Sequence, residues 1–242
     1  MTTEAHAHDL PATSAPKRGF LPRAGSALAF FPLAVYVVWH LWQNMYAWQG
    51  ADSWQQHVTA GHAPIAEFTM SALVLIPIVL HTIWGVRRIS IGMSSWNIVK
   101  YPTFDNLKFV LQRLSAIGLV LFIGAHVWLA RIHPLVETGH HESFADISWH
   151  MRHHPPTLAV YVLGIIGTAY HLANGLATGG MTWGYAASPR AKARMGFISM
   201  AFFVVLMAMG FGAIYALWDA GAAQRAEIRE AHPAVHDHID QD

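Results

Sequence analysis

Five long windows without Asp, Glu, Lys or Arg limit this chain more than any other feature. They cover 24–51, 68–86, 114–130, the middle of 153–189, and 195–218. A bilayer span needs about 20 apolar residues. The third window is short, and Phe109 to Gln112 can lengthen it. None of the runs alternates as a lipid-facing barrel strand does, so helix is the conformation that satisfies the backbone in hydrocarbon. The sequence therefore predicts an all-α integral membrane protein with five transmembrane helices in a bundle. Composition agrees, at 54% hydrophobic and 12% charged.

Four of the windows each enclose a histidine: His40, His81, His126 and His171, separated by 41, 45 and 45 residues. An ionisable side chain in hydrocarbon is costly and marks a functional site by default. Helix direction alternates along the chain, which sorts the four by depth. His40 and His126 fall toward one side of the membrane, and His81 and His171 toward the other. At 1.5 Å per residue the two layers lie roughly 15 Å apart. Two facing histidines per layer are what a bis-histidine haem requires, in a site built between helices of a bundle. The competing reading is four unrelated helix-contact histidines, each satisfied by hydrogen bonds. Burying four such groups in two opposed pairs without a shared purpose is the costlier arrangement.

Glycines fall beside the histidines. Gly85 follows His81 by four residues, Gly164 and Gly167 precede His171 by seven and four, and Gly118 precedes His126 by eight. Glycine inside a helix costs about 1 kcal/mol against alanine, so its use here implies close approach of a flat ligand or of a neighbouring helix.

Lys and Arg set the orientation. With the N-terminus inside, eleven of the 15 positive residues lie on the inner side, and Arg131, Arg152, Arg225 and Arg229 lie outside. That fits the positive-inside rule. It predicts a multi-pass protein of a bacterial cytoplasmic membrane, N-terminus inside and C-terminus outside. Residues 1–22 form a polar cytoplasmic segment, 23–219 the transmembrane di-haem domain, and 220–242 a polar external tail. The apolar run after residue 22 is too long for a signal-peptide core, so it reads as a retained span. Tryptophans 39, 42, 48, 128 and 218 fall toward the outer helix ends, with Trp84 and Trp183 toward the inner, as interfacial belts do.

The chain has no cysteine, which excludes disulfides, thiolate-bound iron–sulfur clusters and covalently attached haem. A net charge of +1 without a basic, aromatic-rich patch gives no reason to expect a nucleic-acid partner. Histidines 133, 140, 141, 150, 153 and 154 crowd the outer loop at 132–154, but their irregular spacing suits solvated surface better than a tetrahedral metal site.

Several short motifs now combine. The first helix carries Arg23, Ser26, Pro32, His40, Leu41 and Asn44 as R-x-x-S…P…H-L-x-x-N. The third opens with Leu111, Gln112 and Arg113 and continues to His126-Val127-Trp128. The fourth runs HLANG from His171, then TWG from Thr182 and SPR from Ser188. Over residues 20–218 the chain resembles the single-subunit, two-haem cytochrome b anchors of succinate dehydrogenases and fumarate reductases. The resemblance implies a distal haem b on His40 and His126 and a proximal haem b on His81 and His171. It also implies a flavoprotein and an iron–sulfur subunit on the cytoplasmic face, which supply the clusters this chain cannot hold. Electrons from succinate would pass to a membrane quinone, with menaquinone expected, and fumarate reduction would reverse the path. The chain would then be the quinone-reactive subunit of an enzyme complex, embedded in lipid, and a higher oligomer is compatible with this reading.

Supporting residues follow from position. Ser26 and Ser115 lie 14 and 11 residues before His40 and His126, on the histidine faces. They sit roughly 16–21 Å toward the inner layer, where each hydroxyl can bond a haem propionate or its own helix. Arg23, Arg113 and, at the other end, Arg131 can offset propionate charge or serve only as topogenic charge. Asn44 and Asn174 are candidate partners of the histidines. Glu67, 14 residues before His81 with His62 nearby, is a candidate proton carrier at a quinone site; its alternative is a carboxylate favoured by a helix N-terminus. Some quinol:fumarate members of the family carry a glutamate two residues before the fourth ligand. Ala169 stands there, which favours succinate oxidation. Two other classes compete: a transmembrane cytochrome of the ascorbate-reducing type, and a haem-free transporter with a histidine relay.

Overall fold

The computed structural model describes residues 24–25, 27, 29–59, 64–91 and 102–231. Arg23, Ser26, His62 and most of the N-terminal segment lie outside them, as does 232–242; Glu67 is described in its backbone only. Every regular element among the described residues is helical.

The first helix, α1, has its α-helical part at Val35–Asn44, entered through a π-helical turn at Ala29–Ala34 and left through a 3-10 turn at Met45–Gln49. Pro32 lies in the π-helical turn. A proline removes one backbone donor and crowds the preceding turn, and a wider turn accommodates both. A short α2 (Ala51–Trp54) with a π-helical turn at Gln55–Thr59 leads to α3 (Pro64–Ile91). Helix α4 (Phe104–Val127) runs on through a π-helical turn, Trp128–Ile132, into α5 (His133–Thr138). Then come α6 (Phe144–His153), α7 (Pro155–Trp183) and α8 (Pro189–Ala231).

Among the described residues four helical stretches are long and apolar enough to cross a membrane: Phe68–Ile89, Phe104–Thr138, Pro155–Trp183 and Pro189–Gln224. The first window corresponds to the composite α1, which is not one of these four. Large apolar side chains such as Ile65, Phe68, Ile83, Leu121 and Leu163 point outward from these helices. A water-soluble surface would bury them, and a lipid-facing one has no reason to.

The bundle interior lies between α1, α7 and α8, where Leu41, Ile165, Ala169, Leu206 and Ile214 pack together. Small residues permit the close approach. A methyl group on Gly210 would overlap Ile165, and Ser199 on α8 donates a hydrogen bond to the Ala173 carbonyl of α7. A second core caps one end of the bundle, formed by Ala47, Trp54, Phe144, Ile147, Met151, Ala216 and Leu217. That cap contains a difference from expectation. The histidine-rich loop at 132–154 folds into α5 and α6. Ser143 begins α6, its Oγ accepting from the Asp146 amide at 3.0 Å and donating to the Asp146 carboxylate at 2.6 Å. Phe144, Ile147 and Met151, spaced as one helix face, then dock on α8. Helix α8 itself continues through residues 220–231, into the stretch read as a tail.

Helix α3 stands apart from this core. It packs on the π-helical turn of α1 and touches α4 lightly. Between α3 and the other helices lies a cavity.

Candidate functional site

The cavity has a volume of about 1180 Å³ and is walled mainly by apolar side chains. All four of the histidines singled out above line it. The structure brings them together in two pairs: the ring centres of His40 and His126 are 5.9 Å apart, and those of His81 and His171 are 6.3 Å apart. The rings within each pair are nearly perpendicular, at 72° and 83°. Two imidazoles bonded to one metal at about 2 Å each would hold their ring centres about 6 Å apart, so both pairs suit a shared metal centre.

The ring nitrogens are arranged to match. His81 Nδ1–H donates to the Gly25 carbonyl at 3.2 Å. His126 Nδ1 bonds the Tyr161 hydroxyl at 3.1 Å. His171 Nδ1 lies 3.2 Å from Ser115 Oγ, whose own proton goes to the Gln112 carbonyl at 3.0 Å, so that the serine oxygen is left to accept. Among the described residues no hydrogen bond engages the Nε2 of any of the four. A histidine that ligates through one nitrogen and anchors its other one is the usual second-partner arrangement of metal sites.

The His81 end is polar. Gln112 Nε2 donates to the His171 carbonyl at 3.2 Å and lies 3.2 Å from its Nδ1, and Gln112 Oε1 accepts from Asn174 at 2.8 Å. Arg113 Nη1 donates to Phe109 O at 3.0 Å while its guanidinium covers the Phe109 ring. Its Nε is buried without a partner among the described residues. Arg88 also lines the cavity and interacts electrostatically with Arg113. A buried, unsatisfied guanidinium nitrogen beside a second arginine asks for an anion, and the propionates of a haem are of that kind. Gly25 is needed here, because any side chain on it would run into the Trp84 ring.

The His40 end is aromatic. Tyr36 stacks on His40 with 15° between planes, and Phe122 stacks on His126 at 22°. Gly164 lies against the Phe122 ring, the close helix approach expected of that glycine; Gly85 opens onto the cavity, while Gly118 and Gly167 meet nothing nearby. Asn44 donates to the His40 carbonyl at 2.9 Å and accepts from Trp54 at 3.4 Å. Arg131 lines the cavity at this end.

The two layers are separated as expected. Ser115, which reaches His171, lies eleven residues before His126 on the same helix, roughly 16 Å away. Its hydroxyl partners are His171 and its own helix. Arg23 and Ser26 lie outside the described residues, and nothing is placed of the Glu67 side chain. Among the described residues no three His, Asp or Glu side chains gather as a separate metal site.

Several site residues escaped the sequence reading. Tyr36 is one turn before His40, and Gln112 is 14 residues before His126, so both carried the same helix-face signal that drew attention to Ser115. Arg88 was read only as inner-side charge. Tyr161, ten residues before His171, is off that histidine's face and serves His126 on another helix, so no local pattern marks it. Glu142 lies in the loop before α6 and lines the cavity, with only 10% of its side chain exposed. Burial and the Asp146 carboxylate nearby push its carboxyl up from the ordinary 4.5 to about 7.

Comparison with known proteins accords with this architecture. Residues 94–211 match the family described as succinate dehydrogenase/fumarate reductase transmembrane subunit. The chain is also similar to the succinate dehydrogenase cytochrome b558 subunit of Bacillus subtilis (strain 168), with 28% identity over 201 residues, covering 81% of this chain and 96% of that protein. The family match begins after α3, so it covers His126 and His171, and the longer alignment spans most of the bundle. The ascorbate-type and transporter readings give way to it. On these grounds the chain is a multi-pass membrane protein, similar over residues 94–211 to the succinate dehydrogenase/fumarate reductase transmembrane subunits.

Proposed function

We propose that this chain is the two-haem cytochrome b anchor of a succinate:quinone oxidoreductase, with His40 and His126 holding one haem b and His81 and His171 the other. The observation that carries the proposal is the pair of imidazole pairs in one apolar cavity, spaced at 5.9 and 6.3 Å, with three of four Nδ1 atoms already committed to protein partners. Haem iron, when bound, takes up and gives back one electron at a time at a potential set by its ligands and surroundings.

The chain's own residues do the rest. Gly25, Ser115 and Tyr161 fix ring orientation and tautomer, which keeps Nε2 free to ligate. Arg113 and Arg88 neutralise propionate charge at the His81 end, with Ser26 and Arg23 as further candidates there; Arg131 serves the His40 end. Apolar walls exclude water from the path between the pairs. The basic residues beside the His81 end face the cytoplasm and dock the flavoprotein and iron–sulfur subunits, while the His40 end faces outward. α1 is the fifth membrane span. Glu67, at the beginning of α3, remains a proton carrier of this reading. Ala169 is 1% exposed among Leu41, Ile165 and Leu206, a setting without room for a carboxylate relay. The physiological direction is therefore succinate oxidation, with menaquinone as acceptor.

Gentle purification of the tagged protein from membranes tests this. Pyridine haemochrome should give two haems b per chain, the flavoprotein and iron–sulfur subunits should co-purify, and succinate should reduce the haem. A colourless protein would end the haem assignment. Two haems that succinate cannot reduce in the assembled complex would end the electron-transfer role.

A further inference from the structure

The cavity's wall includes one acidic side chain among the described residues that line it, Glu142. It is held firmly. Gly139, in a left-handed conformation at φ 73°, ends α5, and the Ser143 cap begins α6 immediately after it. The next amide, of Phe144, donates to the Gln55 side chain at 2.6 Å. Two helices and a cross-link from the turn after α2 therefore fix where this carboxylate sits. Behind it, Glu142 Oε1 is 3.8 Å from Nδ1 of His150, a half-exposed histidine. Ahead of it, Tyr161 lies within electrostatic reach, and the Tyr161 hydroxyl bonds His126. One group thus faces both water and the His40 end of the cavity.

Resting on the quinone-reactive reading above, we infer that Glu142 passes protons between water and a quinone oxygen bound at the His40 end of the cavity. The balance is simple. A quinone takes two electrons, delivered by the complex from succinate, and two protons to become a quinol. For each proton, the O–H bond of the Glu142 carboxylic acid breaks and an O–H bond forms on a quinone carbonyl oxygen. The carboxylate left behind regains its proton from water through His150. Quinol oxidation runs the same transfers backward. Its surroundings suit the task, since a carboxyl that titrates near neutrality both gives and regains protons easily. The charged and titratable groups that interact with it are Asp146 and His150 from α6 and Tyr161 from α7, while Arg131 after α4, His57 after α2 and the adjacent His141 line the same cavity.

The test uses the complete complex, a soluble naphthoquinone as acceptor, and the variants Glu142→Gln, Glu142→Asp and Glu67→Gln. Glu142→Gln should lower succinate-driven quinone reduction about 100-fold, the lower range for losing a general acid, while succinate still reduces haem to the wild-type extent. Glu142→Asp should restore most of the rate. The wild-type rate should fall as pH rises through about 7, and Glu142→Gln should lose that limb. Redox-difference infrared spectra should contain a carboxylic-acid band that Glu142→Gln abolishes. A Glu142→Gln complex with the wild-type rate and pH profile overturns the inference, whether or not Glu67→Gln is impaired. If Glu142→Gln fails to assemble, a wild-type spectrum without a carboxylic-acid change overturns it instead. Wild-type complex without succinate-reducible haem is a different failure, that of the proposed function itself.

Discussion

The two ends of the cavity hold similar histidine pairs by different means. At the His81 end the anchors are polar and central: a backbone carbonyl, a serine, a glutamine that ties α4 to α7, and Arg113, whose buried Nε has no partner among the described residues, with Arg88 nearby. At the His40 end aromatic rings dominate, with the Tyr161 hydroxyl on His126, and the titratable groups are peripheral, gathered in the cap formed by the loop before α6. The difference teaches a division of labour. Fixed positive charge would suit an end proposed to bind haem propionates and receive electrons, because it stabilises added negative charge. An apolar end with a titratable rim suits coupled proton and electron transfer, because protons are available there without bringing water to the histidines.

Removing a ligand breaks the comparison most severely. His171→Ala should leave one haem per chain by pyridine haemochrome, retained at the His40 end, whose packing does not depend on the Gln112 network. His126→Ala should spare the His81 end in the same way. Loss of both haems from either variant would show that the ends are one cooperative unit and not two.

The ends should also differ in their response to pH. The folded cap holds a proton on Glu142 up to about pH 7, whereas the free carboxyl loses it near 4.5. Folding therefore binds more protons than unfolding between those values. Cap stability is full below about pH 4.5 and declines as pH rises to about 7, by at most roughly 3 kcal/mol. Hydrogen-exchange protection factors of the α6 amides, taken relative to the intrinsic exchange rate at each pH, should fall across that window, and Glu142→Gln should flatten the response. A uniform pH effect along α3 and α4 would contradict an origin in the cap.

A smaller effect probes the polar end. Gly25→Val places a branched side chain against Trp84 and displaces the carbonyl that holds His81. Overpacking of this kind costs about 2 kcal/mol. The melting temperature of the solubilised protein should fall, and the haem signal assigned to the His81 pair should broaden or decline while the other persists.

These contrasts show what the sequence made legible. Charge-free windows and histidine spacing announced the helices, the two layers and the pairing, because burial of an ionisable group leaves a mark in one dimension. Ser115 was singled out by helix-face arithmetic, although its contact with His171 was not foreseen, and Arg113 by its charge at the inner surface. Tyr161 and Gly25 were not, because each serves a histidine on a different helix, and only the packing of α1 on α3 and of α4 on α7 creates those contacts. The cap was obscured for another reason. Its apolar face of Phe144, Ile147 and Met151 is interrupted by histidines and acids, so composition argued for a loop while the spacing argued for a helix. Glu142 is the cost of that misreading, since a loop carboxylate attracts attention only once the loop is known to fold over a cavity.

The finest test separates the anchors themselves. Tyr161→Phe keeps the ring that packs edge-on against His126 and Phe122 and removes only the hydroxyl at 3.1 Å. A hydrogen bond accepted from Nδ1–H makes a ligating imidazole more basic, which favours the oxidised metal. Without it, the potential of the haem proposed on His40 and His126 should rise. One hydrogen bond is worth about 1 kcal/mol, which for a single electron is about 40 mV. A redox titration that resolves both haems should find that shift at one end, with the His81-pair potential, haem content and melting temperature unchanged. A shift confined to the His81 pair would mean that the Tyr161 hydroxyl acts through the helix packing of α4 on α7. The aromatic end would then lose its claim to tune its own histidines.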